Sequence, residues 1–180
     1  MLIEPGLAEG GNWIPSGNFI KGIRKICDKH GWLMIADEVL TGLGRTAEMW
    51  GMDHYEVIPD MLIVGKNLSG GIAPCAGVAT RDEILGNNPS ASSGSTFAGT
   101  PAGCAAGLKT LEIYKRDKVI DHAKKLAQIA KLRMEPWCEK YSIVSETRQL
   151  GLLMGISFNL PDSLASSDMY DDSFVARTVR

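Results

Sequence analysis

Between Pro15 and His30, apolar side chains recur at helical spacing, with Phe19, Ile20, Ile23, Ile26 and Cys27 on one stripe. Gly31 stops that helix. The next segment, Trp32-Leu-Met-Ile-Ala36, is an unbroken apolar run ending in Asp37-Glu38. Such a run predicts a strand of a parallel sheet, buried on both faces. A glycine-bearing loop from Thr41 to Thr46 comes next, then a short helix to Tyr55. Pro59-Asp60 opens a second apolar strand, Met61-Leu-Ile-Val64, which runs into Gly65-Lys66. Cys75–Ala79 reads as a third, small-sided strand.

Residues 86–100 form a polar loop rich in Gly, Ser, Asn and Thr. Pro101 then stands where a helix favours proline, and Ala102–Arg116 predicts a helix with many small residues, suited to close packing. A further helix starts at Val119 and loses its pattern at Pro136. The excess of lysine and arginine over 118–140 reads as a solvated face. Gln149–Phe158 alternates as a strand, and the tail from Asn159 is polar and without pattern. Helices alternating with apolar strands predict an α/β domain with a largely parallel sheet.

Composition narrows the class. The chain has 180 residues, 44% hydrophobic and 22% charged, which supports a packed core and excludes disorder for most of its length. That length suits one domain, or one domain and part of another. A net charge of −2 and a pI near 5.9 offer no basic surface for nucleic acid or anionic lipid. No apolar run approaches the roughly 18 residues of a membrane span, and MLIEPGLAEGG has no signal-peptide pattern. The cysteines (27, 75, 104 and 138) form no C-x-x-C pair, and no histidine stands at ligand spacing from them. Reduced thiols in a cytoplasmic type of compartment, without a zinc site or disulfide framework, are therefore expected.

In parallel sheets, ligands bind beyond the carboxyl ends of the strands. Asp37-Glu38 and Lys66 hold those positions on two strands. Neighbouring strand residues face opposite ways, so only one of the two acids enters a shared crevice, which argues against a metal clamp or a glycosidase dyad. Lys66 follows an apolar strand, and desolvation of its amine would suit a Schiff-base-forming nucleophile. A plainer reading stays open at this point: Lys66 reaches solvent from a strand end and Asp37 caps the next helix. A phosphate loop is excluded, because Asp60 and Asn67 stand where Gly and Ser/Thr are required. Gly42-Leu-Gly44-Arg-Thr-Ala47 matches G-x-G-x-x-A, but Asp60 precedes a strand where a dinucleotide site needs an acid closing one.

Five segments taken together say more: EPGLAEGG (4–11), PSGNF (15–19), IADEVLTGLGRT (35–46), PDMLIVGKNLSGG (59–71) and GSTFAGTPAGCAA (94–106). In this order and at these intervals they resemble the class III pyridoxal-phosphate-dependent aminotransferases of fold type I. The resemblance implies the later half of the large cofactor domain over 1–117, a mostly parallel sheet with flanking helices. It places the start of a small C-terminal α+β domain over 118–180. The implied cofactor is pyridoxal 5'-phosphate. Lys66 matches the catalytic lysine that forms a Schiff base with its aldehyde, and Asp37 the carboxylate that pairs with the pyridine nitrogen. Val39 matches the apolar residue packed on the ring, placed on the strand face of Asp37. Thr96 matches a phosphate ligand delivered to the neighbouring subunit of a homodimer, and Glu9 a glutamate on the substrate side. Arg45 is a familiar family position, read as structural. The implied activity is transamination between a small amine or amino acid and a keto acid, with no metal, nucleic acid or membrane involved.

Some positions depart from the family pattern. Leu40 replaces the glutamine of ornithine- and γ-aminobutyrate-type members, Asn67 a commoner glycine, and Ala47 the glycine usual after Arg-Thr. Leu40 bears on the substrate subgroup more than on the cofactor. Trp13 is read as a core tryptophan. Family members are more than twice this length, so the resemblance implies a fragment lacking the phosphate-binding turn, the stacking aromatic residue and a carboxylate-binding arginine. Two alternatives stay open: a truncated, catalytically inactive module that at most dimerises, and an aminomutase or decarboxylating member of the same family.

Overall fold

The computed structural model describes residues 1–86 and 99–159. Thr96, most of the polar loop and the tail beyond Asn159 lie outside the described residues. Strands β1 (Leu2–Ile3), β2 (Ile35–Asp37), β3 (Met61–Val64) and β4 (Gly77–Thr80) form one sheet in that order. The first three run parallel, whereas β4 is antiparallel to β3. The expected third strand, Cys75–Ala79, is shifted to Gly77–Thr80 and is the one antiparallel member of this mostly parallel sheet. Its direction fits its connection: Gly65–Ala76 holds a single 3₁₀ turn and no helix that could carry the chain across the sheet face for a parallel return.

Helix α1 (Gly17–His30) has the ends its sequence predicts. Ser16 Oγ accepts from Phe19 N at 3.3 Å, and Gly31 adopts the left-handed conformation at φ 64°. Its buried stripe is narrower than its apolar one. Ile20, Ile23 and Cys27 pack against Met34, Ala36, Met52, Tyr55 and Val57, while Phe19 and Ile26 lie at the exposed rim. Each fully buried isoleucine contributes about 2 kcal/mol to holding the helix on the sheet.

Strand β2 is shorter than the apolar run implied. Trp32 N still donates to Cys27 O at 2.9 Å, so Trp32 belongs to the helix cap and not to the ladder. Its ring is half exposed and stacks on His30 at 5.1 Å. At the amino end of β3, the carboxylate of Asp60 accepts from Met34 N at 2.8 Å, Arg24 at 2.8 Å and Arg81 at 3.1 Å. Burial raises its pKa, but the Met34 N–H and the two guanidiniums outweigh that and hold it below the ordinary carboxylate range. Asp60 thus fastens the end of the sheet opposite Lys66 and cannot serve a dinucleotide beyond the carboxyl ends.

After the short α2 (Asp82–Leu85) come α3 (Pro101–Arg116), α4 (Val119–Met134) and α5 (Trp137–Lys140). The expected single strand over 149–158 is a hairpin, β5 (Val144–Leu150) and β6 (Leu153–Phe158), reversed at Gly151 with φ 63°. A glycine with its neighbours in the ladder is the one local sign of that reversal. Gly42-Leu-Gly44-Arg-Thr-Ala47 forms tight turns, and the short helix expected to Tyr55 is a 3₁₀ helix that begins only at Gly51, so no helix N-terminus opens on these glycines for a pyrophosphate. Ala47 takes φ 64°, the conformation that the family's glycine adopts freely, at a cost of about 1 kcal/mol. Arg45 contributes through its backbone: its carbonyl accepts from Leu152 N at 3.0 Å. Ala47, Ala123, Ala127 and Leu152 close a second small core between this loop, α4 and the hairpin.

Candidate active site

Parallel pairing of β2 with β3 sets Asp37 opposite Ile63, and Glu38 N donates to Ile63 O at 2.9 Å. Asp37 and Lys66 therefore leave neighbouring strands at the same end of the sheet. Beyond Asp37 the chain turns at once. Asp37 Oδ1 accepts from Val39 N at 3.1 Å, an Asx turn that leaves the second oxygen to other partners. This partly realises the capping role of Asp37, although the capped segment is a turn and not a helix. Val39 lies in that turn, which corrects its expected place on the strand face of Asp37. Its side chain nevertheless comes beside Gly65, where a Cβ would meet Val39 Cγ1 at 3.5 Å and Ala76 Cβ at 3.6 Å. Asp37, Val39 and Lys66 are thus brought to one corner.

Lys66 begins a 3₁₀ turn (Lys66–Ser69) with φ 45°, a left-handed conformation that is uncommon for a long side chain. Strain of this kind concentrates at functional sites because the surrounding packing must enforce it. Helix α3 does so here. A Cβ on Gly103 would lie 2.9 Å from Pro74 O, and one on Gly107 3.4 Å from Leu68 O, so the helix backbone presses on the loop after Lys66. The small residues of α3 serve this approach. Lys66 itself is exposed, which corrects the expectation of an apolar surrounding for its amine. Its strand ends at Val64, and the left-handed turn carries it to the rim of a cleft of about 660 Å³ lined by Ala73, Cys75, Thr100 and Cys104.

Glu9 lies elsewhere, exposed in the turn between Leu7 and Trp13 and not on this cleft. Trp13 is not a core residue: it is 54% exposed, and the Arg148 guanidinium covers its ring at 4.3 Å from the centroid. A second cleft of about 700 Å³, between the Thr46–His54 loop, α4 and β5, contains none of the expected site residues.

The acid next to Asp37 has a different task. Glu38 is 1% exposed, and its carboxylate accepts from Thr41 Oγ1 at 2.5 Å, Gly51 N at 2.8 Å and Met52 N at 2.8 Å. It staples the Glu38–Met52 loop under the sheet. A Cβ on Gly51 would crowd Pro5 and Thr41, and one on Gly42 would meet Glu38 O at 2.8 Å, so these glycines serve packing. Burial raises the Glu38 pKa above its ordinary value against the pull of these three hydrogen bonds. The same burial, aided by Glu38, pushes Tyr55 up to about 12, and Tyr55 OH donates to Pro5 O at 2.7 Å. Alternation along a strand shows that one acid faces away from the site, but not that it is fully buried.

An acid and a strained lysine thus stand at neighbouring carboxyl ends of an α/β sheet, the place where such sheets bind small molecules. The class-III aminotransferase family model matches residues 1–175, and the chain belongs to that family. An uncharacterised aminotransferase of Archaeoglobus fulgidus is 38% identical over 159 residues, 87% of this chain and 37% of that protein. The acetylornithine aminotransferase structure from Elizabethkingia anophelis superposes with a TM-score of 0.83 at 37% identity, covering 92% of this chain and 43% of that one. Taurine:2-oxoglutarate aminotransferase from Bifidobacterium kashiwanohense, solved with PLP and glutamate, gives a TM-score of 0.83 at 30% identity over 91% and 40%. The chain spans less than half the length of these relatives. The fold is that of the fold type I aminotransferases.

Proposed function

We propose that this chain carries the lysine-bearing part of a transaminase that moves an amino group from a primary amine or amino acid to a keto acid. The observation that carries the reading is the corner formed by Asp37, Val39 and the strained Lys66 at the carboxyl ends of β2 and β3. These residues fit pyridoxal phosphate: an amine for its aldehyde, a carboxylate with one oxygen outside the Asx turn for its pyridine nitrogen, and an apolar side chain beside Gly65 for its ring. When bound, the cofactor receives the amino group and takes up the electrons released when the substrate Cα–H bond breaks. Lys66 Nζ would hold the cofactor by its aldehyde carbon and, when free, would carry the proton from the substrate carbon. Asp37 would pair with the pyridine nitrogen and keep it protonated, and Val39 would pack on the ring.

In the whole assembly, Glu9 faces the amine substrate, and Thr96 serves the phosphate of the neighbouring subunit in a homodimer. Residues 1–117 belong to the large domain and 118–180 to the small one, with Lys118 (φ 50°) at the joint between α3 and α4. The four free cysteines suit a reducing, cytoplasmic compartment. Among the described residues, no helix is long and apolar enough to cross a membrane. Acetylornithine and taurine, the substrates in the names of two relatives, both present a primary amine at a chain end, and such ω-amines are the donors to try first.

The test tracks ¹⁵N from a labelled ω-amine into alanine or glutamate, with pyridoxal phosphate and pyruvate or 2-oxoglutarate present. Transfer should occur with the whole protein that contains this chain and fall about a hundredfold or more in Lys66→Ala. Equal transfer by both proteins would refute the role of Lys66, and no transfer by either would refute the reading for this chain.

A further inference from the structure

The turn that carries Glu9 is shaped by residues far away in sequence. Leu7 and Trp13 close it with paired backbone bonds of 2.8 and 3.1 Å. Inside it Gly11 at φ 99° and Asn12 at φ 56° are left-handed, a conformation that has to be held in place. The β5–β6 hairpin does the holding. Arg148 donates to Gly11 O from Nε at 3.2 Å and from a terminal nitrogen at 2.9 Å, and its guanidinium lies over Trp13. The Arg148 side chain is only 10% exposed, and its remaining nitrogen pairs with Glu146. Asn12 Nδ2 donates to Met154 O at 2.6 Å. Gly155 permits the close approach, since a Cβ there would lie 2.9 Å from Gly11 O. Three hairpin positions therefore grip two consecutive residues of the turn.

We propose that Arg148 is the positioning residue for the turn Leu7–Trp13: its fork fixes Gly11, and with it the backbone that carries Glu9. The significance for substrate choice rests on the proposed substrate-side role of Glu9. Arginine suits the place better than lysine, because two donors in a rigid plane reach one carbonyl while the same plane stacks on an indole. A lysine would restore the charge and one donor, and neither the fork nor the stack.

Amide hydrogen exchange monitored by NMR on the whole chain tests this without any need for turnover. In Arg148→Met, the amides of Leu7, Gly11, Asn12 and Trp13 should exchange about tenfold or more faster, with β5–β6 ladder and α1 amides unchanged. Arg148→Lys should recover part of that protection. Unchanged exchange in the turn would overturn the proposal. So would an equal rise through turn and ladder, which would make Arg148 a residue of hairpin folding alone. In a chain that transfers nitrogen, Arg148→Met should raise KM for the amine severalfold with kcat within about twofold, and a loss confined to kcat would contradict positioning of the substrate side. A chain that transfers none defeats the proposed function but leaves the exchange result to decide the role of Arg148.

Discussion

Replacing Glu38 by alanine should cost about 3 kcal/mol or more and leave much of the chain unfolded under conditions where the parent is folded. Three donors lose their acceptor together: Thr41 Oγ1, Gly51 N and Met52 N. Each buried donor left unpaired costs about 1–3 kcal/mol, and a domain of this size is stable by only about 5–15 kcal/mol. The loop these bonds hold also supplies Met52 and Tyr55 to the core under β2, so its release exposes the strand end that carries Asp37. Urea denaturation monitored by circular dichroism measures the effect, and a loss below about 1 kcal/mol would mean that water replaces the carboxylate. Glu38 also gives stability a pH dependence of definite sign. Its folded pKa is raised, so the native state keeps a proton that the unfolded chain releases. Its contribution is complete below the ordinary glutamate value of about 4.3 and is lost as pH rises through the folded value. Glu38→Gln keeps one acceptor oxygen and cannot titrate, so the stability difference between parent and Glu38→Gln should shrink as pH rises across that window.

Gly151→Ala should be nearly as damaging, at about 3 kcal/mol, with a fall in Tm on the order of 10 °C. Two costs add. Gly151 sits at φ 63°, where a Cβ costs about 1–2 kcal/mol, and that Cβ would run into the backbone of Thr46 and Ala47. Backbone cannot step aside as a side-chain tip can, and here it is pinned by Leu152 N on Arg45 O at 3.0 Å. The hairpin must lift from the loop, opening the small core of Ala47, Ala123, Ala127 and Leu152. Calorimetry checks this, and a shift under about 2 °C would show that the hairpin is not seated as described.

Local chemistry decides which elements are legible in the chain. Ser16 and Gly31 bracket α1, Pro101 opens α3, and Met61–Val64 is an apolar run with turns on both sides, so these elements stand where the sequence puts them. Lys66 and Asp37 stand out because strand ends are where α/β sheets bind ligands, and the family motifs fall on the same residues. The hidden features depend on contacts distant in sequence. Nothing in Cys75–Ala79 encodes direction, and β4 returns antiparallel across a connection that holds no crossover helix. Gln149–Phe158 reads as one strand because Gly151 is its one local break, and nothing in Val144–Arg148 marks the partner strand. Trp13 reads as core by composition, yet its covering is Arg148, more than a hundred residues away. Periodicity shows that Glu38 faces away from Asp37, but not the three donors waiting for it.

The most direct test of the Lys66 corner is borohydride trapping. The chain is incubated with pyridoxal phosphate, reduced, digested, and the labelled lysine located by mass spectrometry. The expected result is label concentrated on Lys66, about tenfold or more weaker in Asp37→Ala because the anion opposite the pyridine nitrogen is gone. Label spread over the exposed lysines, with the same pattern in Asp37→Ala, would contradict a cofactor site at the carboxyl ends of β2 and β3.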